Sequence, residues 1–525
     1  MDGAEIISII KKRLPDFNAI SVVQDYPDEI CIKVKPEVFK ETCLTLHKML
    51  LSPVMMLFAL DERKTREVFA VNAVFINLKP GQWIIVSMDI LPEDCSFDSL
   101  AKNIHSAALF ERQIAEMFGI LPQGNPDLRR LNLHDEVWPQ GAFPLRKDFS
   151  KMAPGNLNEY KFERVEGTGI FEVPVGPVHA GIIGPGHFRF SLAGEPIVNL
   201  EIRLGFTHRG VEKLFEGKSC FDVQGLVECI CGDSVFAYSL AFAQAVEKIS
   251  QAAVPSQAAY LRGIFLELER MYNHANDIGG IALDVGFSFP AAYAALIKEA
   301  VLQLNAKLTS SRYLKKVNTA GGVLVDLDEN KKQMLLDSIG KIRKDCAALS
   351  TMLNSSVSFM DRVDTTGVLI QKTARDLGVV GLAGRACGIA VDLRKCFPGI
   401  YGEVKFRMIT QEAGDVLSRL KMRFYEFEES CRLIEEFTAK LASNREIKVN
   451  PGKKAASSLG YAEGWRGPVL CYLKTDQDGL IERCKFVDAS SNNWLGLKYA
   501  VLGNIIPDFP VCNKSFDLSY PGNDL

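Results

Sequence analysis

The second half of the sequence is dominated by long stretches in which apolar residues recur at helical spacing. These stretches are rich in alanine and leucine and cover residues 220–253, 256–284, 291–314, 330–359 and 411–441. Each is longer than the average helix of a globular protein, and such helices usually bury their apolar faces against one another. The pattern therefore predicts a helix bundle over much of the chain.

The first part of the sequence has a different character. Residues 5–14 are apolar at helical spacing up to Pro15, and residues 100–118 predict a helix that ends at Gly119. Between them, the β-rich runs 68–78 and 82–89 flank the turn residues Lys79-Pro80-Gly81. These patterns predict a small α+β domain over residues 1–122.

Glycine and proline are dense in residues 123–160, which argues against long regular elements there and indicates a connector. The second domain, 161–525, adds predicted strands at 170–175 and 186–193 to the helices. Its predicted hairpin has strands at 469–474 and 480–487. The predicted fold class is α+β: a small N-terminal α+β domain followed by a large, mainly α-helical bundle domain with peripheral β hairpins.

Composition places the chain among ordinary globular proteins. Of its 525 residues, 61 are Lys or Arg and 64 are Asp or Glu, so the formal net charge is −3. Near-neutrality argues against a nucleic-acid partner, because phosphate binding usually requires net basicity. No apolar run reaches the roughly 20 residues of a transmembrane helix, and the first residues do not resemble a signal peptide. We therefore expect a soluble, cytoplasmic chain.

The thirteen cysteines are scattered and contain no C-x-x-C pair. The closest two are Cys229 and Cys231. Structural zinc and iron–sulfur sites usually need paired thiolates at chelating spacing. The sequence therefore offers no cluster site of its own, and most of these residues are expected to be reduced thiols buried as small apolar side chains.

Two short segments stand out as candidate sites. His179, His187 and His208 are three of only seven histidines and lie among glycines and arginines, which suits a ligand-facing loop. The alternative is that they are core or capping histidines. Residues 228–234, which include Glu228 and Cys231, precede a helical run, where a thiol can be reactive. Here two packed cysteines are the favoured alternative.

The tail at residues 506–516 is apolar and contains Pro507 and Pro510. Chain termini are more often polar and poorly ordered. We therefore expect this segment to dock in a groove of the second domain.

Several of these motifs resemble those of the complex I and group 4 [NiFe] hydrogenase superfamily. The N-terminal part of the chain, including the connector, resembles the C-type (30 kDa-like) subunit at residues 110–120, 124–130 and 144–149. Gln113 and Ala115, in the first of these motifs, depart from the usual pattern. The second resembles the D-type (49 kDa-like), hydrogenase-large-subunit partner. Its matching motifs lie at residues 176–179, 185–190, 208–213, 374–381 and 414–415. The resemblance implies a fused C-type/D-type subunit, similar to the large subunits of formate hydrogenlyase and hydrogenase-4.

In this family a working nickel site has four cysteines. Carried over one by one, the positions are Cys231, Ser234, Ser519 and Gly522, while Cys512 fits none of them. Serine is a poor ligand for a soft metal and glycine offers no side chain. The acidic residue that relays protons before the 185–190 motif is Gly184 here. The resemblance thus implies that the nickel ligands are lost and argues against a NiFe centre and hydrogen chemistry.

Complex I uses the corresponding cavity to bind a quinone. Its quinone-contacting histidine and tyrosine fall near Ile183 and Glu228, and neither matches. His179 and His187 remain candidate catalytic donors to a carbonyl oxygen, and a quinone remains a candidate ligand. Glu228 is a candidate proton-handling carboxylate; the alternative is an acid stabilised by a helix N-terminus.

The resemblance implies a peripheral-arm subunit that couples electron transfer from an adjacent [4Fe-4S] subunit to ion translocation. The implied partners are a small [4Fe-4S] (B-type-like) subunit, a ferredoxin-like subunit and membrane ion-translocating subunits, at the cytoplasmic face of the membrane. We expect a set of basic residues to line the cavity or the cluster interface, since arginine stabilises added negative charge. They are Arg189, His208, Arg209, Arg375 and Arg385.

Two alternatives remain open at this point. One is a non-catalytic scaffold subunit with a vestigial cavity. The other is a [NiFe] hydrogenase with altered ligands.

Overall fold

The N-terminal domain is built on a five-stranded sheet. The computed structural model describes residues 3–14, 21–150, 158–181, 183–442 and 445–525. The elements of the first domain are α1 (Gly3–Arg13), β1 (Ser21–Tyr26), β2 (Glu29–Val34), α2 (Pro36–Leu50), β3 (Met56–Asp61), α3 (Arg63–Arg66), β4 (Phe69–Asn77), β5 (Gln82–Ile90), β6 (Ser96–Asp98), α4 (Ala108–Phe118) and β7 (Leu121–Gln123). The sheet order is β1-β2-β5-β4-β3, and within it only β2 and β5 pair in parallel.

Every residue of β3 and β4 is buried, which explains why these strands are continuous apolar runs. The predicted strands 68–78 and 82–89 are confirmed. The predicted helix 100–118 is only partly right, because α4 begins at Ala108. The carboxylate of Glu111 accepts hydrogen bonds from Leu100 N and Ser99 Oγ, and this holds the preceding residues in turns. Pro15, where the first helix was expected to stop, lies outside the described residues.

The second domain combines a helix bundle with two three-stranded sheets. Its elements are β8 (Ile170–Val175), β9 (His187–Ala193), β10 (Ile197–Arg203), α5 (Val211–Phe215), α6 (Gln224–Val227), α7 (Val235–Ser250), α8 (Ser256–Asp284), α9 (Ser288–Thr309), β11 (Asn318–Thr319), β12 (Gly322–Val323), α10 (Glu329–Asn354), α11 (Val357–Val363), α12 (Gln371–Leu377), α13 (Gly381–Arg385), α14 (Leu393–Cys396), α15 (Val416–Lys440), β13 (Ala456–Glu463), β14 (Pro468–Thr475), β15 (Ile481–Val487), α16 (Ala489–Ala500), α17 (Phe509–Phe516) and α18 (Tyr520–Asp524). The predicted fold class is confirmed.

The helix α8 forms the centre of the bundle and packs against α7, α9, α15 and α17. The predicted helix 256–284 is confirmed over its full length. The prediction for 220–253 is wrong in its first part, because residues 228–234 form turns and α7 begins only at Val235. The predicted helix 330–359 is interrupted, because Ser356 Oγ accepts a hydrogen bond from Phe359 N and caps a new helix, α11.

The C-terminal part supplies the second sheet and the docked tail. The predicted hairpin is confirmed as β14 and β15, and β13, which the sequence pattern missed, completes the sheet. The tail forms α17, whose residues Phe509, Cys512 and Phe516 are buried against the bundle. The expectation that this segment docks in a groove is therefore confirmed.

The two domains share one apolar boundary. The ring of Phe58 on β3 lies 4.5 Å from that of Tyr472 on β14, and Trp83 stacks on Phe397 at 5.1 Å. Lys248 of α7 adds ion pairs of 2.7 Å to both Asp28 and Glu29.

In the described parts of the connector, residues 124–150 and 158–169 form neither helix nor strand. Among the described helices, none is both long and apolar enough to cross a membrane.

Candidate functional site

The four positions that align with the family's nickel ligands meet in the structure, although Cys231 and Ser519 are 288 residues apart in sequence. Cys231 Sγ lies 3.0 Å from Ser519 Oγ, which also accepts a hydrogen bond of 2.9 Å from Gly522 N. The Cys231 thiol and the Ser234 hydroxyl each donate to Asp233 Oδ1, both at 2.9 Å. We call the following six residues the Cys231 cluster: Cys231, Asp233, Ser234, Arg466, Ser519 and Gly522.

The guanidinium of Arg466 lies against Cys231, Asp233 and Ser234 of this cluster. It forms a bidentate ion pair with Asp233 at 2.8 and 2.7 Å, and its Nη1 lies 4.0 Å from Cys231 Sγ. Its Nε donates to the backbone carbonyl of Asp517, and the group stacks over the Trp465 ring at 3.9 Å. A fixed positive charge thus lies beside the one thiol that remains.

The Cys231 thiol is held in its protonated form. The side chain is buried, and this burial, together with the neighbouring charge of Asp233, raises its pKa well above the ordinary value. Burial also disfavours the charge of Asp233, but Arg466 outweighs that effect and lowers its pKa. A neutral thiol beside an ionised carboxylate is a hydrogen-bond donor and a poor metal ligand.

The fourth ligand position is also closed sterically. A Cβ atom at Gly522 would lie 2.4 Å from Asp488 Oδ2 and 2.7 Å from the Tyr238 hydroxyl. These two groups hydrogen-bond to each other at 3.0 Å. The space that a cysteine side chain needs is therefore already filled by a buried acid and a buried phenol.

The former proton-relay position, Gly184, is also closed sterically. A Cβ atom at Gly184 would lie 2.6 Å from Cδ2 of Tyr520, and one at Gly186 would lie 2.6 Å from its Cε1. Tyr520 follows Ser519 directly, so the aromatic ring of the C-terminal segment takes the place where an acidic side chain would stand.

These residues do not fit a nickel–iron centre. The donor set is one protonated thiol, two hydroxyls and a glycine, and a cation already lies among them. In the described part of the chain, no group of three or more His, Cys, Asp and Glu side chains is arranged to hold a metal ion.

His208 and Arg209 hold the cluster together without entering it. His208 Nδ1 donates to Asp524 O at 2.7 Å, and Arg209 donates to the carbonyls of Cys229 and Ile230 at 2.9 and 2.8 Å. They brace the turn before α7 against the C-terminal segment. Their expected role in binding a cofactor stays a prediction.

The other expected arginines lie elsewhere. Arg189 pairs with Glu172 at 2.8 Å on the sheet surface, and Arg375 is exposed on α12. Arg385 is buried in a charge network with Glu426 and Glu463, both at 2.8 Å. Arg270 of this network donates to the backbone carbonyls of residues 463 and 464, so the network contacts the segment that leads to Arg466.

The two candidate catalytic histidines both form hydrogen bonds to backbone carbonyls of the loop that precedes β9. His179 Nε2 donates to Gly186 O at 2.8 Å, and His187 Nδ1 donates to Gly176 O at 3.2 Å. Burial lowers the pKa of His187, and its Nε2 has no hydrogen-bond partner among the described residues. These are the contacts of capping residues, and the catalytic role of both histidines stays a prediction.

Glu228 is buried, and its carboxylate accepts hydrogen bonds from Gln224 Nε2 at 3.1 Å and Lys316 N at 2.9 Å. It follows the last residue of α6, so the alternative of an acid at a helix N-terminus is wrong. The two cysteines of this segment also differ: Cys231 is packed, as expected, whereas Cys229 is exposed.

Two buried acids beside the cluster were missed by the sequence analysis. Glu269 and Asp277 lie eight residues apart on one face of α8, with Asn273 between them donating to Asp233 O at 2.6 Å. Burial raises the pKa of Glu269 to about 8; burial and the nearby Asp517 raise that of Asp277 to about 7. Arg466 was missed as well, because nothing local connects it to residues 231–234.

Comparison with known proteins agrees with this architecture. The family model described as the respiratory-chain NADH dehydrogenase 30 kDa subunit matches residues 32–154, and that of the 49 kDa subunit matches residues 284–457. Formate hydrogenlyase subunit 5 of Escherichia coli is 29% identical over 95% of this chain and 89% of its own length. Hydrogenase-4 component G of the same organism is 28% identical, covering 99% and 92%.

One further relative shares the fused organisation, and one solved structure shares the fold. The fused C/D subunit of the NADH-quinone oxidoreductase of Phocaeicola vulgatus is 28% identical over 72% of this chain and 76% of its own length. A chain of the membrane-bound sulfane sulfur reductase, an archaeal respiratory membrane complex, superposes with a TM-score of 0.64 at 24% identity, covering 68% of this chain and 99% of that one. The chain therefore belongs to the superfamily of complex I and hydrogenase large subunits, with the 30 kDa-like and 49 kDa-like domains fused in one polypeptide.

Proposed function

We propose that this chain is a peripheral subunit of a membrane-bound oxidoreductase. In this proposal, electrons reach the Cys231 cluster from a [4Fe-4S] cluster in a neighbouring small subunit. Their arrival drives ion translocation by membrane subunits, without hydrogen chemistry, at the cytoplasmic face of the membrane. The acceptor is a quinone or another small molecule. Support comes from relatives that are subunits of formate hydrogenlyase, hydrogenase-4 and NADH-quinone oxidoreductase.

One observation carries the proposal: the Arg466–Asp233 ion pair stands where the family's metal would be held. A guanidinium that is already in place stabilises negative charge on a reduced group without reorganisation. The positive charge of the guanidinium also repels a metal dication. The charge of Arg466 therefore favours an electron-rich small molecule over nickel.

The proton supply in this proposal comes from α8. Glu269, whose pKa is about 8, and Asp277, whose pKa is about 7, both titrate near neutral pH. A group that exchanges its proton near the working pH is matched to proton transfer. Reduction of a molecule beside Arg466 would draw a proton from this side of the cluster.

The loop that faces a partner in this proposal includes the described residues 176–181 and 183–186. Val178 is 87% exposed and Ile183 is 41% exposed on it, while Gly184 and Gly186 pack on Tyr520, next to Ser519. A small [4Fe-4S] subunit that covers these apolar side chains would lie one layer from the cluster. The ferredoxin-like and membrane ion-translocating subunits come to this chain from the family resemblance alone.

The first test is metal and hydrogen chemistry in the assembled complex. Nickel content by mass spectrometry is expected to lie far below one atom per chain, and hydrogen evolution with reduced viologen is expected to be absent. Stoichiometric nickel together with hydrogen evolution would instead support the alternative of a hydrogenase with altered ligands.

The second test separates an active cavity from a scaffold. In the assembled complex, Arg466→Gln is expected to lower donor-to-quinone electron transfer at least about ten-fold, the scale of a lost charge-assisted contact. Arg375→Gln, at an exposed arginine outside the cluster, is the matched control and should be neutral. Unchanged turnover in Arg466→Gln, Glu228→Gln and His187→Gln would favour the scaffold alternative.

A further inference from the structure

The first turn of α7 is not capped by the residue that precedes it. Within the described part of the chain, the side chain of Ser234 makes no hydrogen bond to the start of the helix. Its hydroxyl instead donates to Asp233 Oδ1 at 2.9 Å and accepts from Trp465 Nε1 at 3.1 Å. The first N–H groups of a helix usually bond to the side chain just before it. In α7 these groups need an acceptor from elsewhere.

The acceptor comes from a neighbouring helix. The carboxylate of Glu269 on α8 accepts from Phe236 N at 2.6 Å through Oε2 and from Ala237 N at 3.0 Å through Oε1. Phe236 and Ala237 are the second and third residues of α7, the two that a capping side chain normally serves. Glu269 therefore caps α7 from α8, and both of its carboxylate oxygens are engaged.

The same part of α8 also holds the turn that leads into α7. One helical turn after Glu269, Asn273 Nδ2 donates to Asp233 O at 2.6 Å, and the Tyr272 hydroxyl donates to the same carbonyl at 3.3 Å. Side chains of α8 thus contact the chain on both sides of the junction between residues 231–234 and the helix. This turn carries three of the six residues of the Cys231 cluster, so its position depends on α8.

Glu269 can cap both N–H groups in only one protonation state. Each oxygen of a carboxylate accepts hydrogen bonds, whereas a carboxylic acid has a hydroxyl that donates. A protonated Glu269 therefore presents one good acceptor to two N–H donors, those of Phe236 and Ala237. A buried N–H group that loses its acceptor is costly, so protonation weakens the start of α7.

The charges around Glu269 place its titration within an accessible range. Burial, together with the nearby charge of Asp233, raises the pKa of Glu269 to about 8, against the lowering effect of the two N–H groups and of Arg270. Its titratable neighbour on α8, Tyr272, has a pKa raised well above the ordinary value by burial and stays neutral. Arg466, from the segment after β13, is paired with Asp233. Between pH 6 and pH 9 Glu269 thus changes from mostly protonated to mostly ionised.

We propose that Glu269 is a proton-operated positioning residue for the start of α7. In its ionised form it caps the helix and fixes the turn at residues 231–234; when protonated, it releases one N–H group and the turn loosens. This device lies within the chain and does not rest on the function proposed for the Cys231 cluster. Within that function, loss of the Glu269 proton would tighten the turn beside the molecule that is being reduced.

Hydrogen–deuterium exchange of the full chain at pH 6 and pH 9 tests this device, with rates read by mass spectrometry and corrected for the intrinsic effect of pH. The amides of Phe236 and Ala237 are expected to be about ten-fold or more better protected at pH 9, because a charged acceptor forms the stronger hydrogen bond.

The start of α15 is the internal control. There Asp415 Oδ1 accepts from Ser418 N at 2.7 Å, and hydrogen bonds outweigh burial and lower the pKa of Asp415, so this cap stays ionised at both pH values. The protection of Ser418 should therefore stay the same. An equal change at both helix starts, or no change at the start of α7, would overturn the proposal.

A variant assigns the effect to Glu269. In Glu269→Gln the side chain keeps its shape but no longer titrates, so the protection of Phe236 and Ala237 is expected to be low at both pH values. Glu299→Gln, at a carboxylate that stays ionised over this range, is the matched control and should keep the parent difference. If Glu269→Gln retains the ten-fold difference with unchanged circular dichroism, another group controls this junction and the proposal is wrong.

Discussion

The two buried charged regions of the second domain differ in how their acids are compensated. In the network around Arg385, each carboxylate contacts at least one arginine; its members are Arg270, Arg385, Arg394, Glu267, Asp392, Glu426 and Glu463. Around the Cys231 cluster, Asp233 and Asp277 are paired with Arg466 and Arg423. Two further acids there have only neutral donors among the described residues: Glu269 accepts from two backbone N–H groups at the start of α7, and Asp488 accepts from Tyr238 and from a backbone N–H.

The difference teaches what each region can do. In the first region, arginine lowers the pKa of Glu267, Asp392 and Glu426, so these carboxylates stay ionised. Burial and the neighbouring Asp392 instead raise the pKa of Glu463 to about 7. Carboxylates that have only neutral donors in a buried place take up protons near neutral pH, as the raised pKa of Glu269 indicates. Glu269 is therefore suited to proton exchange, whereas most acids of the first region are fixed in the ionised form.

The largest expected effect comes from breaking the paired region. Arg385→Met leaves Glu426, Glu463 and Asp392 buried without their shared cation, and we expect a loss of about 3–5 kcal/mol in unfolding free energy. Denaturant titration followed by circular dichroism measures it. Arg375→Met, at an exposed arginine, should change stability by no more than about 0.5 kcal/mol. A loss of similar size in both variants would remove the distinction.

The pH dependence of stability tests the unpaired region. The pKa of Glu269 is about 8 when folded and 4.5 as its ordinary value, so the unfolded chain releases this proton first as the pH rises. The contribution of Glu269 to the unfolding free energy is therefore most favourable below about pH 4.5. It declines between about pH 4.5 and pH 8, by at most about 1.4 kcal/mol per pH unit.

Glu269→Gln should accordingly flatten the decline in stability between pH 5 and pH 8. The matched control is Glu299→Gln, because the ion pair with Arg312 lowers the pKa of Glu299 to about 2 and this acid stays ionised over the whole range. An unchanged slope in Glu269→Gln would mean that this carboxylate does not titrate there.

A smaller effect is expected where Tyr520 fills the former proton-relay position. In Gly184→Ala the new Cβ would approach Tyr520 to 2.6 Å, and overpacking of this kind costs about 1–3 kcal/mol. Gly181→Ala is the control, since a Cβ there meets nothing within 4 Å. Thermal unfolding compares the two variants, and rescue of Gly184→Ala by Tyr520→Ala would identify the clash as the cause.

The last prediction needs no change in stability and concerns the reactivity of the two neighbouring cysteines toward a thiol reagent. Cys229 is exposed, so iodoacetamide should label it in the folded chain. Cys231 is buried and its pKa is raised, so it should react only after unfolding. Peptide mass mapping distinguishes the two, and rapid labelling of folded Cys231 would contradict the protonated, enclosed thiol.

Much of the fold follows from local patterns in the sequence. The apolar period of residues 256–284 predicted α8 over its whole length, and the turn residues between the two β-rich runs predicted β14 and β15. The errors occurred where a tertiary contact overrides the local pattern. Turns, and not a helix, span 228–234, where Arg209 binds the carbonyls of the turn and Asp233 pairs with Arg466.

The candidate site was predictable only in part. The family resemblance identified Cys231, Ser234, Ser519 and Gly522 as the altered ligand positions, and the structure brings them together. The family resemblance did not identify Arg466 or Glu269, because each becomes part of the site through contacts between distant elements. The resemblance also led us to expect Arg385 at the cavity or the cluster interface. Three carboxylates hold this arginine in a buried network, and its expected role stays a prediction.

The sequence by itself determined the helix bundle, the small N-terminal α+β domain and the loss of three of the four thiols, because periodicity and side-chain chemistry are written residue by residue. Only the tertiary structure decided what fills the space that the lost ligands left: an ion pair, a tyrosine ring and a buried acid. The two members of the ion pair are 233 residues apart in sequence. Close packing in three dimensions, which local sequence does not encode, selects which of these groups meet.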